Sequence, residues 1–237
     1  MSDFCYICPI PPKSQMKSKL YSWFSSLVAA TGKVRLYISL FILLPLIFLS
    51  KEVREKKVFE FEVAFLQWLH EVINPISGYI LSVFYLIGDT HIAALVVVTS
   101  LGILCWKRYW REAMTLAFAS LSVLLLVDEI LKPFFARRRP PERIDKTAGG
   151  FGYPSGHATG NLVLYFYLAY LLAARYPKLS IYIYGVTTLF LILMGLSSMY
   201  LRVHWPSDLI GGYAFGYIWL TICLAILNFS GKKEKKY

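Results

Sequence analysis

Charge is scarce in this sequence. Asp, Glu, Lys and Arg supply 16% of its 237 residues, where a soluble domain carries about a quarter. Charge is also absent from long internal blocks, which argues against a water-exposed globular surface. Acidic residues are the rarer sign, 14 against 25 basic, for a formal net charge of +11. Such an excess in a soluble chain would suggest nucleic acid. Here the basic residues fall in short loops and a tail, with no basic groove interleaved with stacking aromatics, so a nucleic-acid partner is excluded. Cysteine is sparse too. Cys105 and Cys223 lie in apolar segments and read as inert. Cys5 and Cys8 form a lone C-x-x-C with no second pair, a weak metal or redox signal. The N-terminal region lacks the compact apolar core and small-residue cleavage site of a secretory signal. There is no internal repeat and no low-complexity tract.

What the sequence does hold is apolar length. It is 57% hydrophobic with a mean hydropathy of +0.54. Trp, Tyr and Phe make up 16%, many near segment ends, where interfacial belts form. This pattern predicts an all-α polytopic membrane protein. About six spans are expected: Leu36–Ser50, Thr90–Trp106, Glu112–Leu131, Gly156–Ala174, Leu179–Leu201 and Asp208–Phe229. The first is short for a helix that needs about 20 residues to cross. Between it and the second, Phe61, Phe65, Leu66, Leu69 and Ile73 recur at helical spacing, which predicts an in-plane helix over about 58–74. Ile76–Ile87 is apolar but brief, interrupted by Gly88-Asp89, and is expected to enter only the membrane edge. An amphipathic helix is also expected around Leu20–Ala30.

Loop charge sets the orientation. The N-terminal segment 1–35, Lys107–Arg111, Arg175–Lys178 and the basic tail 230–237 all fall on one side under the inside-positive bias. That side is the cytoplasm, and 36–229 forms the membrane-embedded domain. Basic residues at Lys51–Lys57 and Arg137–Arg143 then lie on the outer side, against the bias.

Three polar clusters share that outer face. In Leu131–Pro140, Lys132 ends a span and Arg137, Arg138 and Arg139 follow. Guanidinium groups match phosphate oxygens bidentately, and Lys adds a point charge. A basic loop holding lipid headgroups would look the same. Arg137 reads as a solvated cation. In Tyr153–Gly160, Ser155 is placed to cap the fourth span, Gly156 shapes a turn, and His157 sits in the first helical turn. Free N–H groups at a helix start make an anion site. A lone interfacial His bonded to a carbonyl is the bland alternative. In Ser197–Gly212, Asp208 follows His204 by four residues. A carboxylate there can accept from one ring nitrogen and leave the other as nucleophile, or it can simply complement the helix dipole.

Together the clusters resemble the type-2 phosphatidic acid phosphatase superfamily of integral membrane lipid phosphatases. Its pattern is K-x6-R-P, then P-S-G-H, then S-R-x5-H-x3-D. Lys132 to Arg139-Pro140 matches the first part, Pro154 to His157 the second, and His204 with Asp208 the end of the third. One position departs: Ser198 stands where the family has Arg. Arg202, four residues on, is expected to supply the missing phosphate contact. The resemblance implies phosphoryl transfer without metal or cofactor. His204 is the nucleophile, Asp208 orients it, and His157 is the general acid and base. Lys132, Arg139, Arg202, Ser155 and Gly156 hold the phosphate, with Arg138 as a secondary contact. The implied partners are the bilayer and a lipid phosphate: phosphatidate, phosphatidylglycerol phosphate or undecaprenyl diphosphate. No protein partner is named. The implied location is a bacterial cytoplasmic (inner) membrane, with the site facing the periplasm or outside. A lipid phosphotransferase, a non-catalytic lipid-binding relative and a transporter are the competing readings.

Overall fold

The computed structural model describes residues 31–55, 58–145 and 148–234. Cys5, Cys8, the Leu20–Ala30 helix and the end of the basic tail lie outside them. Every regular element among the described residues is helical: α1 Lys33–Arg54, α2 Glu60–Val72, α3 Pro75–Ile87, α4 Thr90–Trp106, α5 Trp110–Leu124, a single turn α6 Lys132–Phe135, α7 Gly156–Arg175, α8 Ser180–Tyr200 and α9 Pro206–Glu234. A π-helical stretch, Leu125–Leu131, joins α5 to α6.

Composition explains these elements. Four helical stretches are long and apolar enough to cross a membrane: α1, Trp110–Phe135, Pro177–Tyr200 and Pro206–Phe229. A fifth span forms if α3 and α4, bent by 47° at Gly88-Asp89, act as one. The expected count of six is therefore approximate. α7 is the remaining helix, with 20 residues. Its first turns carry His157, Thr159 and Asn161, which lowers its apolarity. It can afford them because it lies at the centre, packed against α5, α8 and α9. α1 is longer at both ends than the 15 residues expected from sequence (22 residues), which removes the apparent shortfall in span length.

Caps mark where helices begin. Asn74 accepts the Ser77 N–H, Asp89 the His91 N–H and Ser155 the Ala158 N–H, each worth about 1 kcal/mol. In a bilayer, apolar burial does not by itself hold helices together. Close packing of small residues and interhelical hydrogen bonds do so. Gly212 and Gly216 of α9 bring it against the α7 backbone, where an added Cβ would lie 2.8 Å from the Ser155 oxygen and 3.0 Å from the Thr159 oxygen, respectively. Asn161 donates to the Gly88 carbonyl (2.7 Å), Tyr167 to Glu112 (2.8 Å), and Trp219 to the Ser122 hydroxyl (3.1 Å). The lipid-facing surface is apolar, with Phe41, Leu44 and Ile181 each more than 70% exposed. The result is an all-helical polytopic membrane bundle. Its polar ends meet where α5 finishes, α7 and α9 begin, and α8 finishes.

α2 lies within the segment 58–74 expected to be helical. Leu66 and Leu69 of the expected apolar face are buried, together with Glu62, whereas Phe61, expected on that face, is exposed on the other side with Trp68 and Val72.

Candidate active site

The PSGH turn is fixed from both sides. The Ser155 side chain caps α7, and its backbone N–H donates to the Asp208 carbonyl at 3.0 Å. Ser155 is fully buried. The α7 N-terminus leaves N–H groups without intrahelical partners, beside Lys132: a Cβ on Gly156 would lie 3.3 Å from Lys132 Nζ. His157 stacks face to face on Tyr85, with centroids 4.8 Å apart and planes 10° apart. Its buried Nε2 has no hydrogen-bond partner among the described residues. That answers the bland alternative of a His satisfied by a carbonyl.

His157, Gly156, Lys132 and Arg139 line one cavity of about 330 Å³. Its wall also includes Tyr85, Asp89, Asp128, Asp145 and Asn161, and its apolar part is made by Leu86, Ala93, Val123, Leu124 and Val127. Lys132 Nζ contacts Asp128 at 2.5 Å, one turn earlier. The π-helical stretch carries Asp128 into this wall. Such segments recur at functional sites.

His204 and Asp208 sit just behind, both essentially without solvent exposure. Asp208 Oδ2 lies 3.4 Å from His204 Nδ1 and accepts the Trp205 N–H at 3.0 Å. Asp208 therefore also serves the helix start, reaching back from the first turn of α9 in the manner of a capping box. The structural and chemical readings of this residue hold together. Arg139 Nη1 is 3.1 Å from His204 Nε2 and 3.1 Å from the Val203 carbonyl. A guanidinium can only donate. Nε2 is then the acceptor, Nδ1 carries the proton toward Asp208, and the lone pair faces the cation of the cavity. Burial pushes the His204 imidazole below the usual histidine range, while the Asp208 carboxylate facing Nδ1 works the other way. Burial also holds the Arg139 guanidinium below its usual value. Burial pushes the neighbouring Tyr153 phenol up to about 12, opposed by its hydrogen bond to Ser50.

Four expectations change. Ser155, expected to hold the phosphate, has its N–H bound to the Asp208 carbonyl and its hydroxyl on the α7 cap, so the free N–H groups of that turn begin at Gly156. Arg202 does not face the cavity. It adopts a left-handed backbone conformation (φ 52°) just past α8, and its side chain pairs with Glu142 in a separate pocket beside Pro140 and Trp205. The chain leaves helix at Leu201, so "one turn on" points elsewhere. Arg138 is exposed, and only its carbonyl is engaged, accepting from Trp205 Nε1 at 3.1 Å. Arg137, expected to be solvated, is buried: its Nη1 donates to Asp208 Oδ1 at 2.6 Å and its Nη2 to Glu62 Oε2 at 2.7 Å. Sequence reasoning passed over Glu62, although a Glu at a buried position of an amphipathic helix was a visible signal. Ser198 is buried and donates to the Gly195 carbonyl at 2.8 Å, so it offers nothing to an anion.

Residues 112–232 match the sequence profile of the PAP2 superfamily. The chain belongs to the PAP2 superfamily. Among its relatives, phosphatidylglycerophosphatase B of Bacillus subtilis (strain 168) is 29% identical over 152 residues, 63% of this chain and 70% of that protein. Lipid A 4'-phosphatase of Porphyromonas gingivalis is 32% identical over 149 residues, 57% of this chain and 61% of that protein. The crystal structure of a transmembrane PAP2-type phosphatidylglycerolphosphate phosphatase from Bacillus subtilis superposes with a TM-score of 0.69. It covers 85% of this chain and 98% of that one at 20% identity, a likeness of fold. The PAP2 match begins at Glu112 and so takes in all three polar clusters, while α1 to α4 precede it.

Proposed function

We propose that this membrane enzyme is a lipid phosphate phosphatase, hydrolysing the phosphate ester of a membrane lipid through a phosphohistidine on His204. One observation carries the reading: the His204 lone pair at Nε2 points to Arg139, a cation lining the same cavity as His157, Lys132 and the α7 N-terminus. The relatives that are named for phosphatidylglycerophosphate and lipid A support the substrate class, phosphate monoesters of membrane lipids.

In the first step the substrate phosphoryl group displaces Arg139 from Nε2 and keeps it as an oxygen contact. Lys132 and the Gly156 and His157 N–H groups complete the cradle, in which charge stabilisation carries most of the catalysis. His204 Nε2 attacks phosphorus, the bond to the lipid oxygen breaks, and His157 gives that oxygen a proton. The ring becomes positive, and Asp208 steadies it through Nδ1–H. In the second step His157 takes a proton from water, the water oxygen bonds to phosphorus, the N–P bond breaks, and phosphate leaves. The lipid chains run from the cavity past Val123, Leu124 and Val127, out between α4 and α5. Residues 36–229 are the catalytic domain, α2 lies in the membrane plane, and segments 1–35 and 230–237 lie in the cytoplasm. The site opens on the outer face of a bacterial inner membrane.

Phosphate release from a panel of lipid phosphates in mixed micelles, with excess chelator, tests this. Turnover that survives chelation and disappears in His204→Ala is the expected result. A strict divalent-metal requirement sinks the histidine mechanism. Transfer of the phosphoryl group to an added alcohol without free phosphate would make the enzyme a lipid phosphotransferase instead.

A further inference from the structure

α2 carries one charge that the reaction above leaves unexplained. Glu62 is 0% exposed, on a helix otherwise peripheral to the site. Four donors surround its carboxylate: Arg137 Nη2 and the Phe59 N–H at Oε2, the Ser207 N–H and hydroxyl at Oε1. A carboxylate, acceptor at both oxygens, suits such a setting. Arg137 spans from Glu62 to Asp208, its Nη1 also donating to the Ser207 hydroxyl at 2.6 Å. The chain Glu62–Arg137–Asp208–His204 is thus continuous and dry, with each member 3% exposed or less.

We infer that Glu62 is a positioning residue for the His204–Asp208 pair, acting through Arg137. The inference rests on the reading of His204 and Asp208 given above. Its physical content is a charge count. Two carboxylates share one guanidinium, so the buried cluster keeps one negative charge with which to steady a positive ring at His204. Without Glu62, Arg137 belongs to Asp208 alone and that charge is cancelled. Interactions of this kind are large where water is excluded. The groups acting most strongly on His204 besides Asp208 are Arg139 and Lys132, with His157 across the cavity from α7, and the carboxylates Asp89, Asp128 and Asp145 lie further off in the cavity wall. Asp208 is the carboxylate that faces the ring directly, so a negative charge of the buried cluster reaches His204 through it.

The test follows the His204 titration by NMR with labelled histidine, assigned through His70, His91 and His157 replacements, alongside steady-state kinetics and thermal unfolding. Glu62→Gln should move the His204 pKa downward and lower kcat by about tenfold or more, leaving KM within about twofold. Glu62→Gln combined with Arg137→Gln restores the original net charge and should return the titration toward wild type. Glu62→Asp keeps the charge but draws it back from Arg137, so it gives a smaller fall in the same direction and serves if the Gln variant cannot be recovered. An unmoved titration in the single variants overturns the inference. So does a fall that the double variant deepens, which is what a purely structural role produces. The titration needs no turnover. A wild type that releases no phosphate therefore refutes the proposed reaction and leaves this coupling standing or falling on its own readout.

Discussion

The Ser155 backbone N–H donates to the Asp208 carbonyl at 3.0 Å. This single bond ties the turn that carries His157 to the first turn of the helix whose side chain holds His204. His157 lies in the first turn of α7 and His204 in the connection before α9, yet their spacing is set by backbone, which side-chain motion cannot loosen. Gly212 and Gly216 make the same junction close, one and two turns further along α9.

That closeness predicts a sharp contrast between glycines. A side chain on Gly212 would meet the Ser155 oxygen at 2.8 Å and the Ala158 Cβ at 2.9 Å, whereas one on Gly185, in the second turn of α8, would meet nothing within 4 Å. Gly212→Val should push α9 from α7 and cost about 1–3 kcal/mol, with turnover falling in step as the two histidines separate. Gly185→Ala should be neutral or stabilising by up to about 1 kcal/mol. Thermal unfolding in detergent and phosphate release on the same preparations check both. Equal tolerance at the two positions would refute the packing account.

The protonation state of His204 gives a pH prediction. Only the neutral ring has a lone pair at Nε2. Burial, outweighing the nearby Asp208 carboxylate, lowers this pKa from the ordinary value. The ring is therefore neutral above the lowered pKa, and activity is lost as pH falls through it. The acid limb of kcat/KM should lie below about 6.5, where an unperturbed histidine titrates. A limb above that value would contradict the burial seen here.

Much of this was legible in the sequence because the signals are local. Apolar length placed four of the six expected spans on helices long and apolar enough to cross, and motif spacing picked out Lys132, Arg139 and His157, which line one cavity with His204 and Asp208 behind it. What escaped depended on backbone events of a few residues. Arg202 was expected one helical turn beyond Ser198, but the helix ends at Tyr200 and a left-handed residue sends the side chain away. Arg137 and Arg139 are two apart in a run of three arginines; the K-x6-R-P spacing singles out Arg139, but nothing local shows that Arg137 turns into the protein. The partner that selects Arg137 is Glu62, 75 residues earlier. A pairing at that separation has no sequence period. The break at Gly88-Asp89 was visible locally, but the hydrogen bond from Asn161, 73 residues on, to the Gly88 carbonyl was not.

The two arginines expected to hold phosphate, Arg139 and Arg202, can now be separated by experiment. Arg139 lines the cavity and touches His204 Nε2, while Arg202 pairs with Glu142 outside it. Arg139→Ala should reduce kcat by roughly 10²–10³, the cost of removing one preorganised donor to developing charge. Arg202→Ala removes a largely exposed ion pair, worth less than about 1 kcal/mol, and should leave turnover within about twofold. A loss at Arg202 matching that at Arg139 would restore Arg202 to the phosphate site.

Asp208→Asn tests the tautomer. Asp208 Oδ1 accepts from Arg137, and Oδ2 accepts from the Trp205 N–H and faces His204 Nδ1. An amide at this position must turn its nitrogen one way. Toward Arg137, donor would meet donor, beside a cation. Toward His204 it meets only the neutral Trp205 N–H, the smaller penalty, so the nitrogen turns that way, gives up the Trp205 contact, presents a donor to Nδ1 and makes that atom the acceptor. The ring proton is then driven to Nε2, which blocks the lone pair needed for attack and sets an N–H against Arg139, itself a donor. The substitution changes no volume and leaves the cavity-lining cations in place. Substrate binding should therefore persist while kcat falls by about 10⁴, the scale seen when an orienting carboxylate is made an amide and the histidine takes the wrong tautomer. KM and kcat measured together, with a long-range ¹⁵N–¹H spectrum of the histidine rings to report which nitrogen is protonated, decide it. A variant with Nδ1–H retained and near-normal kcat would show that Asp208 serves the α9 helix start alone.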